Sequence, residues 1–129
     1  KNSTRLVKST FKIAYEQRQP QLPLLFHTDR GSNYRSNAFC AYLQSLGVTQ
    51  SFSRAHIPYD NSVMESFFAS MKREELYRTK YRSEQELRAV IAEYIKFYNE
   101  TRPHAKNGYK TPFKKEQEYY VNSKQNEKK

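Results

Sequence analysis

The 129-residue chain has a single cysteine, no tryptophan, three glycines and five prolines. Cys40, standing alone, excludes an internal disulfide and any cysteine-based zinc cluster. No apolar run approaches the roughly 20 residues that a membrane-spanning helix needs, and no stretch has the pattern of a secretory signal. Aspartate is scarcer than any other charged residue. Only Asp29 and Asp60 occur, so any chemistry that needs aspartate has few places to be. What is abundant is positive charge and aromatic surface. Lys and Arg number 23 against 13 Asp and Glu, for a formal net charge of +10, and 15% of residues are Phe or Tyr. That aromatic content is too high for disorder throughout. The excess charge favours a polyanionic partner. These features together lead us to expect an intracellular, cytoplasmic protein.

Hydrophobic spacing outlines the elements. Leu6, Val7, Thr10, Phe11 and Ala14 predict a helix over residues 4–17. Leu22 to His27, between breakers, predicts a buried strand, and residues 27–33 read as a turn. Ser36 predicts a helix cap, with Phe39, Tyr42, Leu43 and Leu46 on the inner face and Gly47 closing the helix. Val48 to Phe52 predicts a second strand. Asp60 is expected to cap a helix bearing Val63, Met64, Phe67, Phe68 and Met71. Ser83 and Glu86 form a capping box before the clearest stripe: Leu87, Val90, Ile91, Tyr94, Ile95 and Tyr98. Arg102 and His104 are expected to answer the exposed carbonyls at that helix's end. Residues 121–129 read as a disordered basic tail behind a core spanning 1–120. Two strands cannot make a stable sheet alone. The order therefore suggests part of a larger sheet, or a sheet completed by a second copy.

Two acids stand out by position. Asp29 follows the first strand, where folds with helices on both faces of a sheet place ligand-binding groups. Glu65 lies at the flank of an apolar helix face, on one ridge with Asn61 and Lys72. Taken singly, Asp29 serves as a turn former and Glu65 as a solvated helical acid. Taken together, a carboxylate at a strand end and one on a helix can share a hard divalent cation, because Mg²⁺ takes oxygen ligands and often only one or two protein carboxylates.

The surrounding residues carry a resemblance. His27-Thr28-Asp29-Arg30-Gly31-Ser32-Asn33-Tyr34 resembles the block around the second catalytic Asp of bacterial insertion-sequence transposases, members of the retroviral-integrase superfamily with a DDE triad. Tyr59-Asp60-Asn61-Ser62-Val63-Met64-Glu65-Ser66-Phe67-Phe68 is similar to the block carrying that family's final Glu. Between Asp29 and Glu65 lie 35 residues, the spacing this family shares with the integrases. A third block, Tyr98-Asn99-Glu100-Thr101-Arg102-Pro103-His104 with Gly108-Tyr109-Lys110-Thr111-Pro112, is similar to the family's C-terminal stretch. The likeness covers about residues 3–118.

The resemblance implies an α/β RNase H-like integrase core, helix-rich, here truncated with its first sheet strands absent. It implies a DDE-type DNA transposase, a polynucleotidyl transferase that cuts and joins DNA in transposition. Asp29 and Glu65 would be catalytic and would hold Mg²⁺ or Mn²⁺, two ions in the complete site. No acid here matches the first catalytic Asp, which is expected outside this chain, so the chain alone is expected to be inactive. Lys72, Arg54, His56 and Arg30 would contact DNA, with Asp60 and Asn61 structural near the site. The partners would be transposon-end and target DNA and further copies of the protein, with no membrane and no small-molecule substrate, in a nucleoid-associated cytoplasmic setting. A nuclease of the same fold and a non-catalytic DNA-binding remnant are the alternatives.

Overall fold

The computed structural model describes residues 3–126 apart from His56. The chain divides into two compact units, with the boundary inside a helix between Phe67 and Phe68.

The first unit begins with α1 (Thr4–Arg18). Ser3 caps it by accepting the Leu6 N–H at 3.2 Å, and Gln19 ends it in a left-handed conformation at φ 42°. Then come β1 (Leu24–Thr28), α2 (Asn37–Ser45) and β2 (Val48–Phe52). The two strands pair in parallel, Leu24 opposite Val48 and Thr28 opposite Phe52, with α2 as the crossover. Ser36 Oγ caps α2 through the Phe39 N–H. A 3₁₀ turn, Pro58–Asn61, leads into α3 (Ser62–Met71).

Phe39 and Leu43 of α2 are fully enclosed, beside Phe11 of α1 and Val48 of β2. The Phe11 ring meets Phe26 edge-on at 4.8 Å and Phe39 at 6.0 Å. Each such buried side chain contributes about 1.5–3 kcal/mol by leaving water. Leu24, Phe26 and Thr28 alternate toward this core, whereas Leu25 on the other face is 63% exposed. The core is narrower than the spacing predicts, since Leu6 and Val63 stay largely in solvent.

The second unit holds a π-helical turn (Lys72–Leu76), α4 (Glu84–Glu100) and α5 (Pro112–Asn126), with α5 packed along α4. Ser83 caps α4 by accepting the Glu86 N–H, while the Glu86 carboxylate reaches back to the Arg82 N–H at 2.7 Å. The element order departs from expectation here. The π-helical turn and α5 carry no clean stripe, and α5 continues through residues 121–126, the start of the stretch read as a frayed tail.

Arg102 is corrected too. Its guanidinium does not answer helix carbonyls but forks onto Glu74, at 2.7 Å from Nη2 and 3.0 Å from Nε. Glu74 also accepts the Tyr94 hydroxyl at 2.9 Å. An arginine fork gains more from a planar carboxylate than from a lone carbonyl. His104 does meet a carbonyl, with Nε2 at 3.2 Å from Tyr98 O.

Candidate active site

A cleft of about 410 Å³ opens in the first unit, lined by Asp29, Arg30, Ser53, Arg54, Ala55, Ile57, Asn61 and Glu65. It sits at the C-terminal ends of the parallel strands, where such sheets place ligands.

Asp29 is fixed by local geometry. Its Oδ1 accepts the Gly31 N–H at 2.8 Å, an Asx-type turn that aims the carboxylate. Gly31 is there for space. A Cβ on it would stand 2.9 Å from the same oxygen and 3.3 Å from the Tyr34 ring. Just before Asp29, the Thr28 carbonyl accepts the Ser53 N–H at 2.9 Å, which extends the strand pairing by one bond. Ser53 also meets His27, whose Nε2 lies 3.1 Å from Ser53 Oγ and whose Nδ1 lies 3.0 Å from Ser51 Oγ. His27 is therefore a hydrogen-bonded strand residue rather than a ligand.

Glu65 comes from the first turn of α3, which continues directly from the 3₁₀ turn. Asn61, four residues earlier, shares the cleft, as the helical ridge predicts. Among the described residues, neither Asp29 nor Glu65 takes part in an ion pair.

The cationic wall is braced. Arg30 Nε donates to the Ser53 carbonyl at 2.9 Å, tying the turn after β1 to the segment after β2. Asp60 was expected to cap α3; instead its carboxylate closes on Arg54. Oδ2 accepts the Arg54 backbone N–H at 2.8 Å and Nε at 3.2 Å, and Oδ1 accepts Nη2 at 3.3 Å. Three charge-assisted contacts outweigh one helix N–H. The Arg54 hydrogen bonds hold the Asp60 carboxyl below the usual carboxylate range, and Asp60 raises Arg54. Sequence reasoning placed Asp60 near the site but missed this pairing. The only signal was an Arg and an Asp six residues apart across a proline-containing loop.

Lys72 is exposed at the start of the π-helical turn in the second unit. His56 lies outside the described residues.

The donor set bears on a metal. Two carboxylates in one cleft fit a hard divalent ion that keeps part of its water shell. Among the described residues, no group of three or more His, Cys, Asp and Glu side chains is placed to hold one. Two carboxylates thus stand in the cleft's lining.

Two family models described as integrase core domain match the chain, over residues 46–112 and 1–58. A transposase for insertion sequence element IS904 of Lactococcus lactis subsp. lactis (strain IL1403) is 38% identical over 109 residues, covering 84% of this chain and 43% of that protein. A Lactococcus lactis subsp. lactis protein described as an ATP-dependent protease is 38% identical over 115 residues, 88% of this chain and 37% of that one. The matched region has no G-x-x-x-x-G-K-[ST] loop for nucleotide phosphates. The chain therefore spans about two-fifths of the length of the curated relatives it matches. Among solved structures, the catalytic core domain of BIV integrase superposes at TM-score 0.61 with 17% identity, over 98% of this chain and 76% of that one. A chain of a simian T-cell lymphotropic virus intasome, solved in complex with PP2A regulatory subunit B56 gamma, superposes at 0.63 with 15% identity, over 81% and 37%. These likenesses establish the fold: an RNase H-like integrase core, helix-rich, with two parallel strands among the described residues.

Proposed function

The chain belongs to the integrase core domain family, and from that premise we propose that it is part of an insertion-sequence transposase of the retroviral-integrase superfamily and supplies part of the catalytic centre for cutting and joining DNA strands in transposition. The observation that carries this reading is the shared cleft: Asp29 and Glu65, 35 residues apart in sequence, line one opening at the strand ends.

Asp29 and Glu65 are the proposed catalytic carboxylates and the groups that would hold Mg²⁺ or Mn²⁺, two ions in a complete site. A divalent ion bound there supplies charge neutralisation at a scissile phosphate and a lowered pKa for the attacking oxygen. The protein's own part is placement. The Gly31 N–H fixes the Asp29 rotamer, and the first turn of α3 carries Glu65 into the same cleft. Arg30 and Arg54 on the cleft wall, together with His56 and Lys72, are the proposed phosphate contacts, and the +10 charge makes binding strongly salt-dependent. The proposed partners are transposon-end and target DNA and further copies of the protein, in the cytoplasm. The net charge of +10 and the similarity to an insertion-sequence transposase support the DNA part of this reading. Asp60 acts structurally near the site, as does Asn61.

The test is strand cleavage and joining of labelled DNA ends by the full-length protein carrying this sequence, with Mg²⁺ or Mn²⁺. Metal-dependent activity lost on Asp29→Asn or Glu65→Gln is the expected result; activity that survives either change overturns the assignment. The 129-residue chain alone is proposed to be inactive, because its cleft offers two carboxylates where the family's chemistry uses three. Turnover by this chain would contradict that.

A further inference from the structure

We infer that Asp60 is a positioning residue for DNA binding, acting through Arg54: it holds the guanidinium against the cleft wall with one edge presented to a phosphate. The inference rests on the proposed DNA reading of this cleft and adds to it a role for an acid that charge alone would count as unfavourable to DNA.

The geometry is specific. Asp60 pins Arg54 at both ends of the residue, through the backbone N–H at 2.8 Å and through the side chain at Nε and Nη2. Both side-chain contacts use the Nε–Nη2 edge, so the Nη1 edge faces away from Asp60. A guanidinium has donors on both edges, and a fork held on one of them can still bind phosphate with the other. The side chains differ in exposure as such a clamp requires: Asp60 is 22% exposed and Arg54 71%. The anchor is sheltered and the cation stands in solvent.

The base of this clamp is tied to the acidic side of the site. Ser53, the residue before Arg54, gives its N–H to the Thr28 carbonyl and accepts Arg30 Nε on its own carbonyl. Thr28 is the residue before Asp29. Asp29 and Arg54 thus each follow a residue locked to the other's strand, and both line the cleft with Glu65. A free arginine on a loop gives up rotamer freedom when it binds phosphate. One already held by Asp60 has less to lose, which is how preorganisation raises affinity.

This predicts a sign opposite to simple charge counting. Asp60→Asn removes an anion from a chain of net charge +10, which by charge alone tightens DNA binding. If Asp60 positions Arg54, the same change weakens it. The experiment is the salt dependence of binding of this chain to a short labelled DNA duplex. Arg54→Ala is expected to reduce affinity about fivefold and lower the log–log salt slope by about one phosphate contact. Asp60→Asn is expected to do nearly the same, Asp60→Glu to restore part of both, and Asp60→Asn in the Arg54→Ala background to add nothing.

Asp60→Asn binding that equals or exceeds the wild type overturns the inference while leaving the DNA reading in place. A further loss in the Arg54→Ala background would mark a general loss of fold and also overturns it. A wild-type chain that shows no salt-sensitive DNA binding removes the DNA reading and the inference together.

Discussion

Ion-paired acids occur in both units, Asp60 with Arg54 and Glu16 with Lys12 in the first among them, but Asp29 and Glu65 of the first line a cleft with no ion pair among the described residues. In the second unit, Glu74 is forked by Arg102 and touched by Tyr94, Glu118 takes the Lys110 ammonium at 2.7 Å, and Glu84 pairs with Arg88. In the first unit, hydrophobic packing of Phe11, Phe39, Leu43 and Val48 supplies the core. There Asp29 accepts only a backbone N–H in its turn, and neither it nor Glu65 is ion-paired among the described residues. A carboxylate already held by an arginine has its lone pairs and charge committed, and it binds a metal poorly. A unit whose stability rests on apolar packing can leave its acids facing a cleft. Lack of an ion pair together with a place in one cleft sets Asp29 and Glu65 apart from Asp60, Glu74 and Glu118 without reference to any family.

The sharpest way to break this contrast is to neutralise acids of each kind. In the full-length protein, Asp29→Asn or Glu65→Gln should lower metal-dependent strand cleavage by about a thousandfold or more, roughly the scale of losing a metal-held or transition-state charge contact. The thermal midpoint should barely move. Unchanged cleavage rates would show that these acids are surface groups.

Next in size is the apolar core. Phe39→Ala should destabilise the chain by about 3–5 kcal/mol, the usual cost of emptying a fully enclosed aromatic site. Urea denaturation measures it, and a loss under about 1 kcal/mol would show that the first unit does not depend on this packing.

Glu74→Ala should cost less, about 1–3 kcal/mol, because it strips a charged hydrogen-bond partner from both Arg102 and Tyr94. The sign of its pH dependence is fixed. The Arg102 hydrogen bonds hold the Glu74 carboxyl below its ordinary range. Its contribution is therefore present above the unfolded carboxylate range, and it disappears as pH falls through the depressed folded value. Melting curves in acid should show a drop that Glu74→Gln removes. At the alkaline end, burial and then the Glu74 carboxylate push the Tyr94 hydroxyl up to about 12. The neutral phenol contributes stability in full below about pH 10, and this is lost as pH climbs toward 12. Tyrosinate absorbance should show a late-titrating tyrosine near pH 12 that Tyr94→Phe removes, leaving Tyr81, which burial and Glu75 also raise.

Smallest is the exposed pair Arg88–Glu84, both about three-quarters in solvent. Breaking it should change stability by under about 0.5 kcal/mol. A larger loss would mean that the second unit depends on surface pairs as well as on the Glu74 knot.

Much of the first unit was legible in the sequence because each element there carries its own signal. Residues 4–17 were expected as a helix and Thr4–Arg18 form one; Val48–Phe52 form the strand that alternation predicts. The cleft was legible as a spacing, Asp29 to Glu65. The second unit was less so, for physical reasons. Helix α5 has Phe113, Tyr119, Tyr120 and Val121 all more than half exposed, so no buried stripe marks it. What does mark it is Thr111-Pro112, a capping hydroxyl that accepts the Lys114 N–H followed by proline at the first helical position. The pairings Glu74–Arg102 and Arg54–Asp60 were illegible for a different reason. Side-chain partners 28 and 6 residues apart leave no periodic trace. Asp60 shows the cost of reading locally: its place before a helix suggests a cap, yet a guanidinium within reach takes it.

The central claim is that Asp29 and Glu65 act on one ligand. The most direct measurement is Mn²⁺ titration of this chain, followed by paramagnetic broadening of its amide signals. We predict that signals around Asp29 and around Glu65 broaden together at the same Mn²⁺ concentration, and that Asp29→Asn weakens the effect at both places. Broadening at one acid without the other, or equal broadening around Glu74 and Glu118, would contradict a shared site.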